Sequence, residues 1–456
     1  MPDLPTGRQV DWFVKGHSLT NSGNAHRESR RWSGTNVSRK VEGERDFPNN
    51  QNFVILYHMS KIFEILKKEE KRQKEVINLI PSENFVSEDV LKALGSVFTN
   101  KYAEGKSHHR YYAGNKYVDE LEDEVIDLVY QSFNISKEDY GVNVQPYSGS
   151  IANIAVYFGV LNVGDKILSM SLEHGGHLTH GHSVSVTGKI FQFEHYGVGE
   201  DGFINYENVL EIAKRFQPKM IIAGTSAYPR TLDFQKFKEI ADSVPSTGSV
   251  GSRQAGSGQA GALLMADIAH IAGLVIGGAH PSPFPHADIV TTTTHKTLRG
   301  PRSAIIISKK NLSENIDKAV FPGMQGGPHM NAVAGVGVAL EEALKPEFKE
   351  YAKQVVANAK ALADELKKLG FKLSSDGTDT HLILVDLTPM GLTGQQASDK
   401  LEAEGIIVNK NMIPFDTRKP WDPSGIRLGT PAVTTQGMKE KDMVEIATRI
   451  KEILSR

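Results

Sequence analysis

The sequence feature that most limits the possible folds is an alternation of short apolar runs and helical patterns between Val90 and Ser308. The segments IANIAVYFGVL and YENVLEIAKRF have the spacing of helices, whereas the apolar runs have the length of buried strands. These runs are DKILSM (165–170), KMIIAG (219–224), ALLMAD (262–267) and ADIVTTTT (287–294). Strands that alternate with helices predict an α/β domain with a mostly parallel sheet.

The rest of the chain divides into segments of different character. Its 456 residues exceed what one hydrophobic core usually holds, so more than one domain is expected. After Lys345, an amphipathic segment ending at Gly370 precedes strand, helix, strand and helix patterns, which predict a smaller C-terminal α+β domain. Residues 1–58 are rich in Asn, Ser, Arg and Gly without a sustained period, which is typical of a disordered extension. The predicted segments are this extension (1–58), an N-terminal helical arm (59–89), a large α/β domain (90–343) and the small domain (344–456).

Composition excludes several classes of function. The 52 Lys and Arg residues balance 54 Asp and Glu residues, which is no footprint for nucleic acid or an anionic membrane. No apolar run approaches the ~20 residues of a membrane span, and the first residues do not resemble a signal peptide. A soluble cytoplasmic protein is therefore expected. The absence of cysteine excludes disulfides, cysteine-bound zinc, iron–sulfur clusters and thiol nucleophiles.

Two strand ends carry side chains that suit cofactor chemistry. The strand ALLMAD ends at Asp267, and the next strand runs out at Lys296 within TTTTHKTLRGPR. Ligands of open α/β sheets bind beyond the carboxyl ends of strands, where a partly buried lysine loses its proton more readily and suits Schiff-base chemistry. A carboxylate at that edge can pair with the pyridine nitrogen of pyridoxal phosphate. Taken singly, Lys296 could equally be a solvated lysine and Asp267 a helix N-cap, but both together are harder to explain that way.

Three further groups are candidates for binding. Ser148, Gly149 and Ser150 immediately precede a helix, whose N-terminal N–H groups form a phosphate-sized anion site. The string EHGGHLTHGHS holds four histidines, yet its Gly–Gly pair and lack of helical spacing argue against a metal, and an imidazole stacked on an aromatic ring fits equally well. No metal is expected. Arg427, between two glycines, either binds a carboxylate through two hydrogen bonds or forms a surface salt bridge.

Two loops stand out by composition. NKYAEGKSHHRYYAG contains more functional groups than a plain linker needs, namely Tyr102, Glu104, Arg110, Tyr111 and Tyr112. The Ser/Gly-rich segment 243–261 is predicted to be a flexible loop on the side where the chain enters ALLMAD, away from Asp267. It contains GSGQAG, but these glycines precede a strand instead of following one, so a dinucleotide site is rejected.

A set of strings resembles the serine hydroxymethyltransferase family, in the same order and over Met59 to Arg456. The strings are LIPSENF, NKYAEG, RYYAGNKYVD, VQPYSGS, HGGHLTHG, MADIAHIAGL, VTTTTHKTLRGPR, FPGMQGGP, GTDTHLILVDL, IIVNKN and SGIRLGTP. The resemblance implies a fold-type I pyridoxal-phosphate-dependent transferase, active as a homodimer or a dimer of dimers with a shared active site. It also implies reversible transfer of the serine hydroxymethyl carbon to tetrahydrofolate or a related pterin, giving glycine and 5,10-methylenetetrahydrofolate.

The same resemblance implies roles for single residues. Lys296 is similar to the lysine that holds the cofactor covalently, Asp267 to the partner of the pyridine nitrogen, and His177 to the imidazole stacked on the ring. The catalytic set also includes Glu104 for proton transfer, Thr293 and Tyr112. The other cofactor-binding positions are Ser148, Gly149, Ser150, Ser226, His270, His295, Gly326, Gly327 and Tyr102. The substrate positions are Ser82, Tyr112, His270 and Arg427, with Arg302 beside the lysine loop. The folate positions are Glu104, Tyr111, Leu172, Gly176, Leu178 and Asn411. The residues expected from the neighbouring subunit are Tyr102, Glu104, Tyr111, Tyr112, Gly326 and Gly327.

Two other functions compete with the transferase. A β-hydroxy-amino-acid aldolase of the same fold would cleave threonine-like substrates without folate, but Glu104, Tyr111 and Asn411 favour the transferase. A catalytically idle scaffold would be expected to have lost Lys296 or Asp267, and both are present. The loop after NKYAEG reads KSHH, which departs from the family pattern on the folate side.

Overall fold

The computed structural model of the protein describes residues 60–245 and 261–456. Its helices are α1 (Lys61–Glu75), α2 (Glu88–Leu94), α3 (Lys116–Phe133), α4 (Gly149–Val160), α5 (Val186–Ile190), α6 (Tyr206–Phe216), α7 (Phe234–Ser243), α8 (Ala272–Ile276), α9 (Lys310–Lys318), α10 (Met330–Ala343), α11 (Pro346–Lys368), α12 (Gly394–Ala403), α13 (Pro431–Thr435) and α14 (Glu440–Ser455). Its strands are β1 (Ile77–Asn78), β2 (Gly105–Lys106), β3 (His109–Arg110), β4 (Tyr140–Asn143), β5 (Lys166–Met170), β6 (Gln192–Tyr196), β7 (Met220–Gly224), β8 (Leu263–Asp267), β9 (Ile289–Thr293), β10 (Ala304–Lys309), β11 (Lys372–Leu373), β12 (Leu382–Asp386), β13 (Ile406–Ile407), β14 (Asn409–Asn411) and β15 (Gly425–Gly429). The predicted extension 1–58 and residues 246–260 of the Ser/Gly-rich loop lie outside the described residues.

A seven-stranded sheet organises the first part of the chain. Its strand order is β4-β10-β9-β8-β7-β5-β6, and β10 alone runs antiparallel to its neighbours in this sheet. The predicted α/β fold with a mostly parallel sheet is therefore confirmed. Because β7, β8 and β9 are parallel and in register, Asp267 lies beside Gly224 on one side and Thr291 on the other. The carboxyl ends of the three strands thus form one edge.

The sheet is covered by helices on both faces, which explains why its strands are apolar at nearly every position. Met220 and Ile222 pack on the face covered by α4, whereas Ile221 between them packs on the face covered by α7. Neighbouring side chains of a strand point to opposite faces, so both are buried. Each such side chain stabilises the fold by about 1.5–3 kcal/mol.

A second sheet, with strand order β11-β12-β15-β14, forms the core of the C-terminal part together with α11, α12 and α14. The long helix predicted after Lys345 is confirmed as α11, and Gly370 follows it with the positive φ of a helix C-terminus. The predicted strand GIIVNK is instead two short strands, β13 and β14, and β15 and α13 were not predicted. β13 lies outside the four-stranded sheet and pairs with β1. No local sequence pattern reveals this pairing, because the two strands lie far apart in the sequence.

The described part of the predicted N-terminal arm has two halves. No residue of α1 is buried, whereas Leu79, just after β1, is fully buried in the C-terminal core. The four-segment domain division stays a prediction. Within residues 60–245 and 261–456, no helix is long and apolar enough to cross a membrane.

Candidate active site

Lys296 and Asp267 follow adjacent parallel strands, as the sequence predicted, and lie at the same edge of the large sheet. Lys296 Nζ donates a hydrogen bond to Thr293 Oγ1 at 2.9 Å. Burial lowers the pKa of Lys296 to about 8, although the Asp267 carboxylate opposes that shift. Lys296 is only partly exposed, so a solvated lysine does not describe it. A much larger share of its amine is therefore neutral and nucleophilic at mildly alkaline pH than for an ordinary lysine.

Asp267 is held as a buried carboxylate by two side chains that the sequence did not link to it. Asn153 Nδ2 and His180 Nε2 donate to Asp267 Oδ2 at 2.9 and 3.0 Å. Burial favours the neutral acid, but the hydrogen bond and charge of His180 prevail, so the pKa of Asp267 lies well below its usual value. Asp267 is not a helix N-cap, because Ile271 occupies that position in α8. A permanently ionised carboxylate here can keep a neighbouring basic nitrogen protonated.

The side chains of three of the four histidines of EHGGHLTHGHS have different hydrogen-bond partners. His177 Nδ1 accepts hydrogen bonds from Thr179, from its hydroxyl at 2.8 Å and from its backbone N–H at 3.2 Å. Burial lowers the pKa of His177 to about 4, so its ring is neutral near pH 7. His180 bonds Asp267, and His174 accepts from Val198 N at 2.9 Å. Within the described ranges, no group of three or more His, Asp or Glu side chains could hold a metal ion.

The start of α4 and the end of β9 form a tight cradle. Ser148 is the N-cap of α4, and a Cβ built on Gly149 would come within 2.6 Å of Thr293 Cγ2. Only glycine allows this approach at the N-terminus of α4, where an anion would be favoured and where Ser148 and Ser150 are exposed. Nearby in sequence, His295 Nδ1 is buried without a hydrogen-bond partner in the described structure, and burial lowers the pKa of His295 to about 3.

Arg427 on β15 is buried, which contradicts its alternative as a surface salt bridge. Its Nε donates to Asn409 Oδ1 at 3.1 Å and its Nη1 to the carbonyl of Ser226. Burial lowers the pKa of Arg427 to about 10, so the guanidinium remains charged near pH 7. These contacts bring β15 against the chain that follows β7. In the same region, His270 Nδ1 lies 3.1 Å from His381 Nε2, and both rings are buried.

A second cluster joins the tyrosine-rich loop to the MQGGP loop. Cβ atoms built on Gly326 and Gly327 would lie 3.3 Å from Glu104 Oε1 and 3.4 Å from the Tyr102 ring, respectively. Three tyrosines of the cluster are stacked edge to face and exposed by about half or more, namely Tyr102, Tyr111 and Tyr112 (56%, 81% and 45% exposed). No described contact joins this cluster's side chains to Lys296 or Asp267. The negative charge of Glu104 raises the pKa of Tyr102.

The remaining predicted positions belong to the substrate and folate sets, namely Ser82, Leu172, Gly176, Leu178 and Asn411. Ser82 lines a cavity of about 350 Å³ with His295 and the exposed Arg302. Gly176 packs so tightly that a Cβ would come within 2.2 Å of the Met170 carbonyl, and Leu178 nearby is 46% exposed. The loop that contains Leu172 meets the loop after Asn411, because the His174 and Phe415 rings lie 4.8 Å apart. The roles assigned to these single residues stay predictions.

Comparison with known proteins decides the family. The family model for serine hydroxymethyltransferase matches residues 57–450. The chain belongs to the serine hydroxymethyltransferase family. It is 51% identical over 395 residues to the serine hydroxymethyltransferase of Desulfotalea psychrophila, with 87% of this chain and 88% of that protein covered. It is also 51% identical over 393 residues to that of Acidothermus cellulolyticus, covering 86% and 87% of the two chains.

Serine hydroxymethyltransferases depend on pyridoxal phosphate and use tetrahydrofolate as a cosubstrate, and the residues of this site fit the cofactor. Lys296 supplies an amine of lowered pKa, and Asp267 supplies a buried anion for a protonated ring nitrogen. The glycine cradle at Gly149 and the unpartnered His295 Nδ1 suit a phosphate. The predicted fold type and family are thereby confirmed.

Several residues with clear positions in the site were not identified from the sequence. Asn153 and His180 hold Asp267, and Asn84 Nδ2 donates to the backbone carbonyl of Lys296 at 2.9 Å and to Tyr351 Oη at 2.8 Å. His180 was among the four histidines noticed, but the string itself does not show which imidazole reaches the aspartate. These partners of Asp267 lie 114 and 87 residues away from it in the sequence, so the pairing can be recognised only in the folded structure.

Proposed function

We propose that the site around Lys296 catalyses the serine hydroxymethyltransferase reaction. In this reaction the hydroxymethyl carbon of serine passes reversibly to tetrahydrofolate, giving glycine and 5,10-methylenetetrahydrofolate. The observation that carries the proposal is the pairing of a lysine of lowered pKa with a buried, ionised aspartate at the ends of adjacent strands. The family match over residues 57–450 supports the same reaction and not the folate-independent aldolase.

Different residues of this chain would bind different parts of the cofactor. When bound, pyridoxal phosphate withdraws electrons from the α-carbon of the amino acid. Lys296 Nζ would hold the cofactor covalently, with Thr293 Oγ1 orienting the amine. Asp267 would hold a proton on the ring nitrogen, because His180 and Asn153 keep its carboxylate ionised. The neutral His177 ring would cover the cofactor, and Ser148, Gly149, Ser150, Ser226 and His295 would complete the pocket.

The substrate is held by opposite charge and by shape. Arg427 would bind the amino-acid carboxylate, because its charge is buried and its described contacts use only Nε and Nη1. Ser82 and His270 would contact the same amino acid. Folate would lie against Leu172, Gly176, Leu178 and Asn411, where Leu178 exposes an apolar side chain.

A second copy of the chain would complete each site. Tyr102, Tyr111 and Tyr112 are unusually exposed for aromatic side chains, and they surround Glu104 and the Gly326–Gly327 pair. A homodimer, alone or as a dimer of dimers, would bury these rings and bring Glu104 to the neighbouring site as the proton-transfer group. We place the enzyme in the cytoplasm, where serine and reduced folate are available to it.

The test is tetrahydrofolate-dependent cleavage of L-serine by the purified, cofactor-loaded protein. We expect glycine and methylenetetrahydrofolate to form in equal amounts, and glycine to form far more slowly when tetrahydrofolate is omitted. The matched control is the Lys296→Ala variant, which keeps the same fold but lacks the amine. Cleavage of threonine at one rate with and without folate, combined with no folate-dependent serine turnover, would assign the aldolase function instead.

A further inference from the structure

A buried pair of histidines joins the two sheets beside the site. His270 lies three residues after Asp267 at the edge of the large sheet, and His381 immediately precedes β12 of the four-stranded sheet. His381 is 0% exposed and His270 is 6% exposed. The atoms His270 Nδ1 and His381 Nε2 are 3.1 Å apart, and the rings are stacked with their planes 27° apart. His381 was not assigned any role by the sequence.

Both imidazoles of the pair are neutral near pH 7. Burial lowers the pKa of His270 well below its usual value and that of His381 to about 3, and the cations of Lys296 and Arg427 act in the same direction. A neutral imidazole has one N–H and one bare nitrogen. Consequently one ring donates across the 3.1 Å contact and the other accepts, and the direction fixes which nitrogen of each ring carries the proton.

The remaining nitrogen of His381 indicates the direction. His381 Nδ1 is buried and has no hydrogen-bond partner among the described residues. If His270 Nδ1–H donated, His381 would have to carry its proton on Nδ1, as a buried and unpaired N–H beside two cations. If His381 Nε2–H donates, only a bare nitrogen is left unpaired. Orphaned buried N–H groups are rarer in proteins than under-satisfied acceptors, so the second arrangement is favoured.

We propose that His381 is a positioning residue that donates from Nε2 to His270 Nδ1, fixes His270 as the Nε2–H tautomer, and thereby makes His270 a hydrogen-bond donor to an oxygen of the bound amino acid. The inference rests on the proposed function, in which His270 contacts the substrate. It explains why a histidine from the second sheet is buried against the first: a bare Nε2 on His270 would repel a carboxylate or hydroxyl oxygen, whereas an N–H attracts it. The second histidine thus selects the chemistry of the first.

The tautomer can be measured directly on the cofactor-loaded protein labelled with [¹⁵N]histidine. Correlations between ring protons and ring nitrogens distinguish protonated from bare nitrogens. The chain has 16 histidines, and the His270 signals are identified by their loss in His270→Gln. We expect Nε2 of His270 to be protonated and Nδ1 to be bare. The opposite pattern in the unsubstituted protein would overturn the proposal, whether or not the protein is active.

Two substitutions separate positioning from simple packing. His381→Gln can place an amide N–H near the position of Nε2, whereas His381→Leu fills similar space without a donor. We expect His381→Leu to leave His270 as a mixture of tautomers and to weaken serine binding in inverse proportion to the fraction that carries the proton on Nε2, about twofold for an equal mixture. His381→Gln should restore the single tautomer and most of the affinity. If His381→Leu keeps both the His270 tautomer and the serine affinity, the proposal is wrong.

Failure of this inference can be distinguished from failure of the proposed function. Absence of tetrahydrofolate-dependent serine turnover in the unsubstituted protein would refute the function, whatever the tautomer. Normal turnover combined with an Nδ1-protonated His270 would refute only the role of His381. If His381→Leu does not fold, the tautomer of the unsubstituted protein and of His381→Gln still decides, because His381→Gln keeps the proposed donor.

Discussion

Arg427 allows a quantitative prediction about substrate binding. A guanidinium has five N–H groups, and the described contacts use one on Nε, toward Asn409, and one on Nη1, toward the Ser226 carbonyl. The two N–H groups on Nη2 and the second N–H group on Nη1 therefore remain for a bidentate contact with a carboxylate. Each hydrogen bond to a charged group contributes about 1.5–3 kcal/mol, so loss of two in Arg427→Ala should weaken serine binding by about 3–6 kcal/mol, or about 100-fold to 10,000-fold.

The assay is a titration of the cofactor-loaded protein with serine and with glycine, followed by the change in cofactor absorbance. Arg427→Lys keeps the positive charge but not the planar set of N–H donors, so its affinity for serine should fall roughly tenfold or more. The matched control is Arg418→Ala, which removes an arginine whose ion pair with Asp422 is partly exposed, and should bind serine normally. Cofactor content should be unchanged in all three variants. Unchanged serine affinity in a folded, loaded Arg427→Ala protein would refute the assignment of the carboxylate site.

Three further predictions concern the cofactor side of the site. Lys296→Ala should abolish nearly all turnover, and borohydride should no longer attach the cofactor to the chain, as mass measurement of the reduced protein would show; a cofactor still attached at full stoichiometry would exclude Lys296. Asn153→Ala should lower the free energy of unfolding by about 2–4 kcal/mol in urea denaturation, because Asp267 loses a charge-assisted donor and Thr291 Oγ1 loses its acceptor; a change below about 0.5 kcal/mol would contradict this network. Capture of pyridoxal phosphate by the cofactor-free protein should accelerate as the pH rises through about 8, because only the neutral amine of Lys296 reacts and its pKa is about 8; a rate that falls over this range in stopped-flow absorbance would contradict that pKa.

The sheet edge that carries Asp267 and Lys296 could be predicted because it follows from local patterns and one general rule of parallel sheets. The apolar runs that end at Asp267 and before Lys296 are strands β8 and β9, and parallel neighbours must end on the same side. The start of α4 was visible to within two residues, because the sequence predicts Ser148, Gly149 and Ser150 just before a helix, whereas Gly149 and Ser150 form its first turn. These features need only neighbours in sequence.

The hydrogen bonds that set the protonation of Asp267 and His270 could not be predicted from the sequence in the same way. His180 reaches Asp267 across 87 residues, and His381 reaches His270 across 111. Each depends on how a loop or a second sheet packs on the first. The same holds for β1, whose pairing with β13 joins the N-terminal segment to the C-terminal sheet. The sequence patterns therefore placed Lys296 and Asp267 at one edge of the sheet, but the side chains that set their protonation are recognised only in the folded structure.

The cluster expected to serve a second copy of the chain is itself held together by a buried polar network. Arg110 donates to Glu122, Gln145 Nε2 donates to the other oxygen of Glu122 at 2.7 Å, and Gln325 Nε2 donates to the Gln145 carbonyl at 2.7 Å. Arg110 and Glu122 expose only 3% and 6% of their side chains, so solvent cannot replace these bonds without a large penalty. One network thus fixes the tyrosine-rich loop and the loop before Gly327 to the segment between β4 and α4. Since the two loops are anchored to the same residues, they would reach a neighbouring site as one rigid unit, which fits a site in which both must contact a single bound cofactor and substrate.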